Sequence, residues 1–228
     1  MNVKLVAHTP RPDTLAGMAA AICVGGVGGY IYNVNACDKA LKGAMASGHL
    51  SVVEHVSFTF LIEGTSRVNL AQQTRHRIAS YSVESQRYVE NSGRSVVVPN
   101  SIASDPELAA AYEALVAHAS KFYTECIQKG VPSEDARYGF LQGGTTRLLV
   151  TMNARELLHF FELRTCNRAQ WEIRRLADEM LRLVKPIAPI IFENAGPKCV
   201  TEGKCPEGKR TCGKPREKIT WDVAGIEV

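Results

Sequence analysis

The chain contains no apolar run approaching the ~20 residues that span a bilayer, so no membrane partner is expected. Its opening, MNVKLVAHTPRPD, lacks the apolar core of a signal peptide, and a cytoplasmic protein is the expectation. Cysteine is neither scarce nor evenly paired. Seven thiols, an odd number, argue against a disulfide framework and for reduced cysteines. A dinucleotide fingerprint is also missing, because Gly26-Val27-Gly28 would need a third glycine where Ile31 stands. The GGVGG run at 25–29 is therefore read as a loop. Aromatics are only 7% of residues and the net charge is +4, a weak basis for a nucleic-acid partner.

What remains is ordinary globular material. Apolar residues make up 45% and charged residues 22% of 228 positions, enough for a core in one domain or a domain plus tail. NVKLVAH alternates as a strand does, and Pro12 with Asp13 opens a helix towards Cys23. Further helices are predicted over 36–47 and 66–74, with the alternating SFTFLIEG strand at 57–64 between them. RSVVVP at 94–99 reads as a short strand. Ser104 with Glu107 forms a capping-box pattern, and Pro106 suits the first turn of a helix running to Gly130. Helices near 133–140 and 154–164 follow, the latter capped by Asn153. The last long helix, 168–185, gathers Ile173, Leu176, Ala177, Met180, Leu181 and Val184 on one face. The expected fold is α+β, a small mostly antiparallel sheet flanked by helices, with a largely helical second half.

One stretch stands out chemically. RHRIASYSVESQRY at 75–88 places Arg75, His76 and Arg77 together, adds Arg87, and contains one acid, Glu84. None of the three guanidiniums can lose its proton. Ser80, Ser82 and Ser85 with backbone amides can complete an anion site. The competing reading is a solvated basic loop; the hydroxyl spacing and Tyr81 and Tyr88 favour the anion site.

The stretch resembles the signature of flavin-dependent thymidylate synthases, R-H-R, seven residues, then serine: Arg75-His76-Arg77 and Ser85, followed by Gln86-Arg87-Tyr88. GHLSVVEHVSFTF at 48–60 resembles the histidine-rich flavin segment of that family. EDAR at 134–137 resembles its nucleotide-binding arginine segment, and MNARELLHFFELRTCNRAQWEIR at 152–174 its helical active-site segment. The family's Asn-Glu-x-Ser becomes Ser82-Val83-Glu84-Ser85 here, which moves the acid by one place.

The resemblance implies synthesis of thymidylate from dUMP, with methylenetetrahydrofolate as carbon donor and NADPH as reductant acting through FAD. It assigns the flavin to His49, Ser51, His55, Arg75, His76, Arg77, Asn153, Arg155 and His159. For His49 and His55 a packed or capping histidine is the alternative, and Asn153 can be a cap alone. The nucleotide falls to Gln72, Gln73, Arg75, Val83, Glu84, Ser85, Gln86, Arg87, Arg137 and Arg164. Arg164 is the expected catalytic residue, a fixed cation that stabilises charge developing on the uracil ring. The resemblance also implies a homotetramer with shared active sites. Because the family chemistry needs no cysteine nucleophile, Cys166 is read as a small residue at a helix junction.

A compositional break at Pro197 suggests a catalytic domain over 1–196 and a basic, cysteine-containing tail over 197–228. Between Pro197 and Lys218 stand seven Lys/Arg and three Glu, net +4, so the rest of the chain nets to zero. Cys199, Cys205 and Cys212 are too widely spaced for the usual zinc pairs, and no metal site is expected from them. The rival function is a nucleic-acid-binding module using the basic stretch and tail. It would need exposed aromatics for base stacking, and only Tyr81 and Tyr88 are candidates. A second rival keeps the fold without the activity.

Overall fold

The structure, a computed structural model, describes residues 1–25, 33–89 and 95–216. Most of the GGVGG loop and Arg94 lie outside these residues. Strand β1 (Asn2–His8) is followed by α1 (Pro12–Cys23), as the sequence predicts. Gly17 of α1 allows a close approach: a Cβ there would lie 2.3 Å from the Cys37 carbonyl oxygen of α2 (Val34–Ala46). The helix α2 begins two residues before the predicted start, because Asn33 Oδ1 accepts from the Ala36 amide at 3.1 Å.

A 3₁₀ turn (Leu50–His55) precedes β2 (Ser57–Ser66), whose alternation buries Phe58, Phe60 and Ile62 completely. Helix α3 (Arg67–Gln73) is capped by Ser66, whose Oγ accepts from Asn69 N at 3.0 Å. A strand not foreseen, β3 (Ala79–Val83), takes up the middle of the basic stretch. Of the expected strand at 94–99, the described part contributes only an isolated bridge, Val96 to Gly144.

The short α4 (Asn100–Ala103) ends at Ser104, which therefore cannot start the next helix. Asp105 caps α5 (Pro106–Gln128) instead: its Oδ1 accepts from Glu107 N at 3.0 Å and Leu108 N at 3.1 Å. The predicted helix at 133–140 is one α turn, α6 (Ser133–Ala136), continued as 3₁₀ (Arg137–Gly139). Strand β4 (Thr145–Asn153) then leads into α7 (Ala154–Arg164). Helix α8 (Trp171–Val184) starts three residues after the predicted 168, since the Gln170 side chain caps it through Glu172 N and Ile173 N. A single turn, α9 (Lys198–Thr201), opens the tail. The four strands form one antiparallel sheet in the order β1-β2-β4-β3, so the α+β expectation holds.

The chain divides into two compact units. The first comprises Met1–Asn2, Ile62–Arg75 and Tyr81–Leu149; the second comprises Val3–Leu61, His76–Ser80 and the chain from Val150 onward. In the second unit Phe192 meets Phe58 and Phe161 edge to face, at 5.5 and 5.8 Å between ring centres. All six α8 residues expected to be apolar anchors are at most 1% exposed. Each of the five larger side chains contributes about 1.5–3 kcal/mol on burial, and Ala177 less. Asp13 of α1 accepts from the Ile190 and Ile191 amides, which offsets part of the burial that raises its pKa. In the first unit, Tyr123 of α5 stacks on Phe140 at 4.6 Å. Another face of α5 points outward, with Leu108, Leu115 and Phe122 about half exposed.

Candidate functional site

In the second unit the site is organised by α7. Asn153 caps it, its Oδ1 accepting from Glu156 N at 2.9 Å. Glu156 in the first turn and Arg164 in the last each suit their end of the helix dipole. Eight residues apart, they share a face of the helix. His76, 4% exposed, bridges them. Its Nδ1 lies 3.0 Å from Glu156 Oε1, and Arg164 Nε donates to its Nε2 at 3.0 Å.

This geometry fixes the tautomer. An arginine Nε–H can only donate, so His76 Nε2 must be the acceptor. The ring proton therefore sits on Nδ1 and is donated to the Glu156 carboxylate. Burial pushes the His76 pKa down; the hydrogen bond to Glu156 opposes this, and the Arg164 charge adds to it. His76 is thus a neutral bridge between a buried carboxylate and the arginine. Phe160 packs edge-on against its ring at 4.9 Å, and His159 lies 5.7 Å away.

Around this bridge the sequence-predicted flavin residues separate by exposure. His49, Ser51, His55, Arg77, Arg155 and His159 are exposed, whereas His76 is enclosed. Arg155 pairs with Glu54, which ties the 3₁₀ turn bearing Ser51 and His55 to the start of α7. The exposed set supplies cations and donors with few acids, the chemistry that an anionic dinucleotide requires.

The predicted nucleotide residues other than Arg164 fall in the first unit. Gln86 and Arg137 line a wide cleft of about 1030 Å³, open to solvent, together with Arg67 and Tyr138. Among the described residues no carboxylate lines it. Arg137 is braced by its Nε, which donates to the Glu134 carbonyl at 3.0 Å. Arg87 pairs with Glu134 at 2.7 Å, and its backbone nitrogen donates to Ser85 Oγ at 3.1 Å. The single acid of the basic stretch is engaged elsewhere: Glu84 pairs with Arg147 at 2.6 Å. Val83 ends β3, and Gln72 and Ser85 are half-buried. Arg75 is exposed. Gln73 is fully enclosed, and both polar atoms of its amide lack a partner among the described residues.

Three residues that the structure places at the cleft or beside His76 were not named from sequence. Arg67 and Tyr138 carry no motif. Glu156 is legible as a helix-start acid three residues after Asn153, but its pairing with a histidine 80 residues away is not. The described tail, 197–216, belongs to the second unit.

The comparisons with known proteins converge. The family model described as thymidylate synthase complementing protein matches residues 4–190. A flavin-dependent thymidylate synthase of Geobacter sulfurreducens is 48% identical over 223 residues, 95% of this chain and 96% of that protein. Those of Clostridium tetani and Pyrococcus furiosus are 40% and 43% identical, covering 95% and 91% of this chain and 95% and 90% of theirs. Likeness of this extent, spanning the basic stretch and the helix that carries Arg164, places the chain in the flavin-dependent thymidylate synthase family.

Proposed function

We propose that the chain methylates dUMP to dTMP, taking the carbon from methylenetetrahydrofolate and reducing equivalents from NADPH through FAD. The observation that carries the reading is Arg164, held by neutral His76 with Glu156 behind it. With Nε fixed, the plane of the guanidinium is set before any substrate arrives. Such a preorganised cation stabilises negative charge on the uracil carbonyl as C5 becomes nucleophilic. His76 and Glu156 hold their shared proton at Nδ1 and do not exchange it with substrate.

When bound, the flavin supplies the hydride chemistry. His49, Ser51, His55, Arg75, Arg77, Arg155 and His159 would hold it through its phosphates and ring edges, with Asn153 at the start of α7. His76 serves this site through Arg164. In the cleft, Arg137 and Gln86 would take the nucleotide, joined by Arg67 and by Tyr138, 86% exposed and able to stack on a base. Gln72, Arg75, Ser85 and Arg87 complete that set. Glu84 and Gln73 support it from within, Glu84 through Arg147 and Gln73 through its backbone carbonyl, which accepts from Tyr81 OH at 2.7 Å.

The working form would be a homotetramer with sites drawn from several copies. Leu108, Leu115 and Phe122 recur every seven residues on the outward face of α5, the pattern of a helix seeking another helix. The nucleic-acid reading is weaker, because Tyr81 is half-buried and its hydroxyl is engaged. Among the described residues no helix is long and apolar enough to cross a membrane.

Purified protein should be yellow, bleach with NADPH, and form dTMP only when methylenetetrahydrofolate and dUMP are both present. A colourless protein that FAD does not reconstitute, and that makes no dTMP, would defeat the reading.

A further inference from the structure

We propose that Arg216, in the C-terminal tail, is a positioning residue for Arg164: it clamps the end of α7 to α8 and so fixes the backbone from which Arg164 projects. The inference rests on the role proposed above for Arg164. Arg164 is the last residue of α7, and Thr165 is its C-cap. Helix ends fray, because their last carbonyls have no partner within the helix. A frayed last turn would carry Arg164 away from His76 and break the 3.0 Å contact between Nε and Nε2.

Arg216 secures this end from outside the helix. Its Nη1 donates to the Thr165 carbonyl at 2.6 Å and to Asp178 Oδ1 at 2.7 Å, and its Nη2 donates to Asp178 Oδ2 at 3.1 Å. Nη1 carries two hydrogens, one for each acceptor, so a single planar group makes every one of these bonds. Its charge also suits the negative end of the α7 dipole. Thr165 is fully buried, and its hydroxyl donates to the Phe161 carbonyl at 2.6 Å. The far side of the clamp is firm, because Asp178 stands on α8 beside the buried Ala177.

The tail is held so as to deliver this side chain. Asn167 Nδ2 donates to the Lys214 carbonyl at 2.8 Å, and Arg168 Nη1 to the Arg210 carbonyl at 2.7 Å. Together with Arg216, these tail contacts fall on 165–168, the segment that directly follows Arg164. The Asn167 carbonyl in turn accepts from Arg174 Nη1 of α8 at 2.8 Å. The Arg216 and Asp178 side chains are 20% and 22% exposed, so water competes little for their bonds. Because Asp178 offsets the Arg216 charge, the effect on Arg164 is one of geometry.

The test is a double-mutant cycle between Arg216 and Arg164. It is read as single-turnover dTMP formation by the full-length, FAD-loaded protein with dUMP and methylenetetrahydrofolate saturating. Arg216→Ala should slow dTMP formation about tenfold, less than the ~100-fold that a 1 Å misplacement can cost. NADPH should bleach the flavin at the wild-type rate. In an Arg164→Ala background the same substitution should change nothing further, because its effect runs through that side chain. A tail that only stabilises the chain would slow both backgrounds equally, and that result overturns the proposal. So does Arg216→Ala at the wild-type rate, or bleaching that slows along with dTMP formation. If Arg216→Ala does not fold, Arg216→Lys goes through the same cycle. It keeps the charge but loses the two parallel bonds to Asp178, so a smaller loss is expected, again absent beside Arg164→Ala. Failure of the functional reading has its own signature: the wild type itself makes no dTMP, and the inference falls with it.

Discussion

Arg164 Nε lies 3.0 Å from His76 Nε2, and the hydrogen bond between them exists only while that nitrogen is unprotonated. Protonation would set two N–H donors against each other. Because burial lowers the His76 pKa below its ordinary 6.5, this happens only under acid conditions. Turnover should therefore hold through neutrality and fall along an acid limb whose apparent pKa lies below 6.5. In His76→Gln, where the amide accepts from Arg164 without titrating, that limb should vanish from the kcat profile. An unchanged limb in the variant would assign it to another group.

The same shift has a stability consequence with a defined sign. Above pH 6.5 His76 is neutral in both folded and unfolded chains, and the full stability is present. As pH falls below 6.5 the unfolded chain binds the proton first, so stability declines until the pH passes the lowered folded value. Urea melts of wild type and His76→Gln at descending pH should diverge in that window, with the wild type losing more.

Glu156 acts through His76, so its two substitutions should differ in kind. Glu156→Gln keeps an acceptor for Nδ1–H and should leave the fold and flavin binding intact while lowering kcat more than it changes KM. Glu156→Ala leaves a buried N–H unpaired, at a cost of about 1–3 kcal/mol. Steady-state kinetics with denaturant melts separates the two outcomes; equal loss of stability in both would reduce Glu156 to a packing residue.

Arg137 should matter for binding alone. Arg137→Ala removes a charged donor from the cleft, worth about 1.5–3 kcal/mol, or roughly 10- to 150-fold in the Kd for dUMP. Titration calorimetry should show that loss with flavin affinity unchanged.

Leu115, half exposed on α5, tests the assembly. Leu115→Glu should shift sedimentation from tetramer to smaller species without lowering the melting temperature of the chain itself. An unaltered tetramer would move the interface off this helix face.

Much of this molecule was legible because local signals and tertiary demands agree. In β2 the alternating Phe58, Phe60 and Ile62 are the buried face, and in α8 the apolar stripe is the core face. Errors arose where two neighbouring residues offered the same chemistry: Ser104 and Asp105 can both cap, and the end of α4 decides between them. The strand β4 was legible in principle, since Thr146, Leu148, Val150 and Met152 alternate and are all buried. Candidate site residues were named by motif, but where the fold puts them was not legible. His76 carries the signature of a ligand-facing residue, yet it is enclosed, because Glu156 and Arg164 come to it from a helix far along the chain. Spacing along a sequence contains no record of such a meeting.

The central claim is that Arg164 supplies the charge the uracil ring needs, and single-turnover kinetics of Arg164→Ala tests it most directly. With FAD loaded and dUMP and methylenetetrahydrofolate saturating, NADPH should still bleach the flavin. Formation of dTMP should fall by about two to three orders of magnitude, the scale of losing one preorganised electrostatic contact. Formation of dTMP at the wild-type rate would contradict the account.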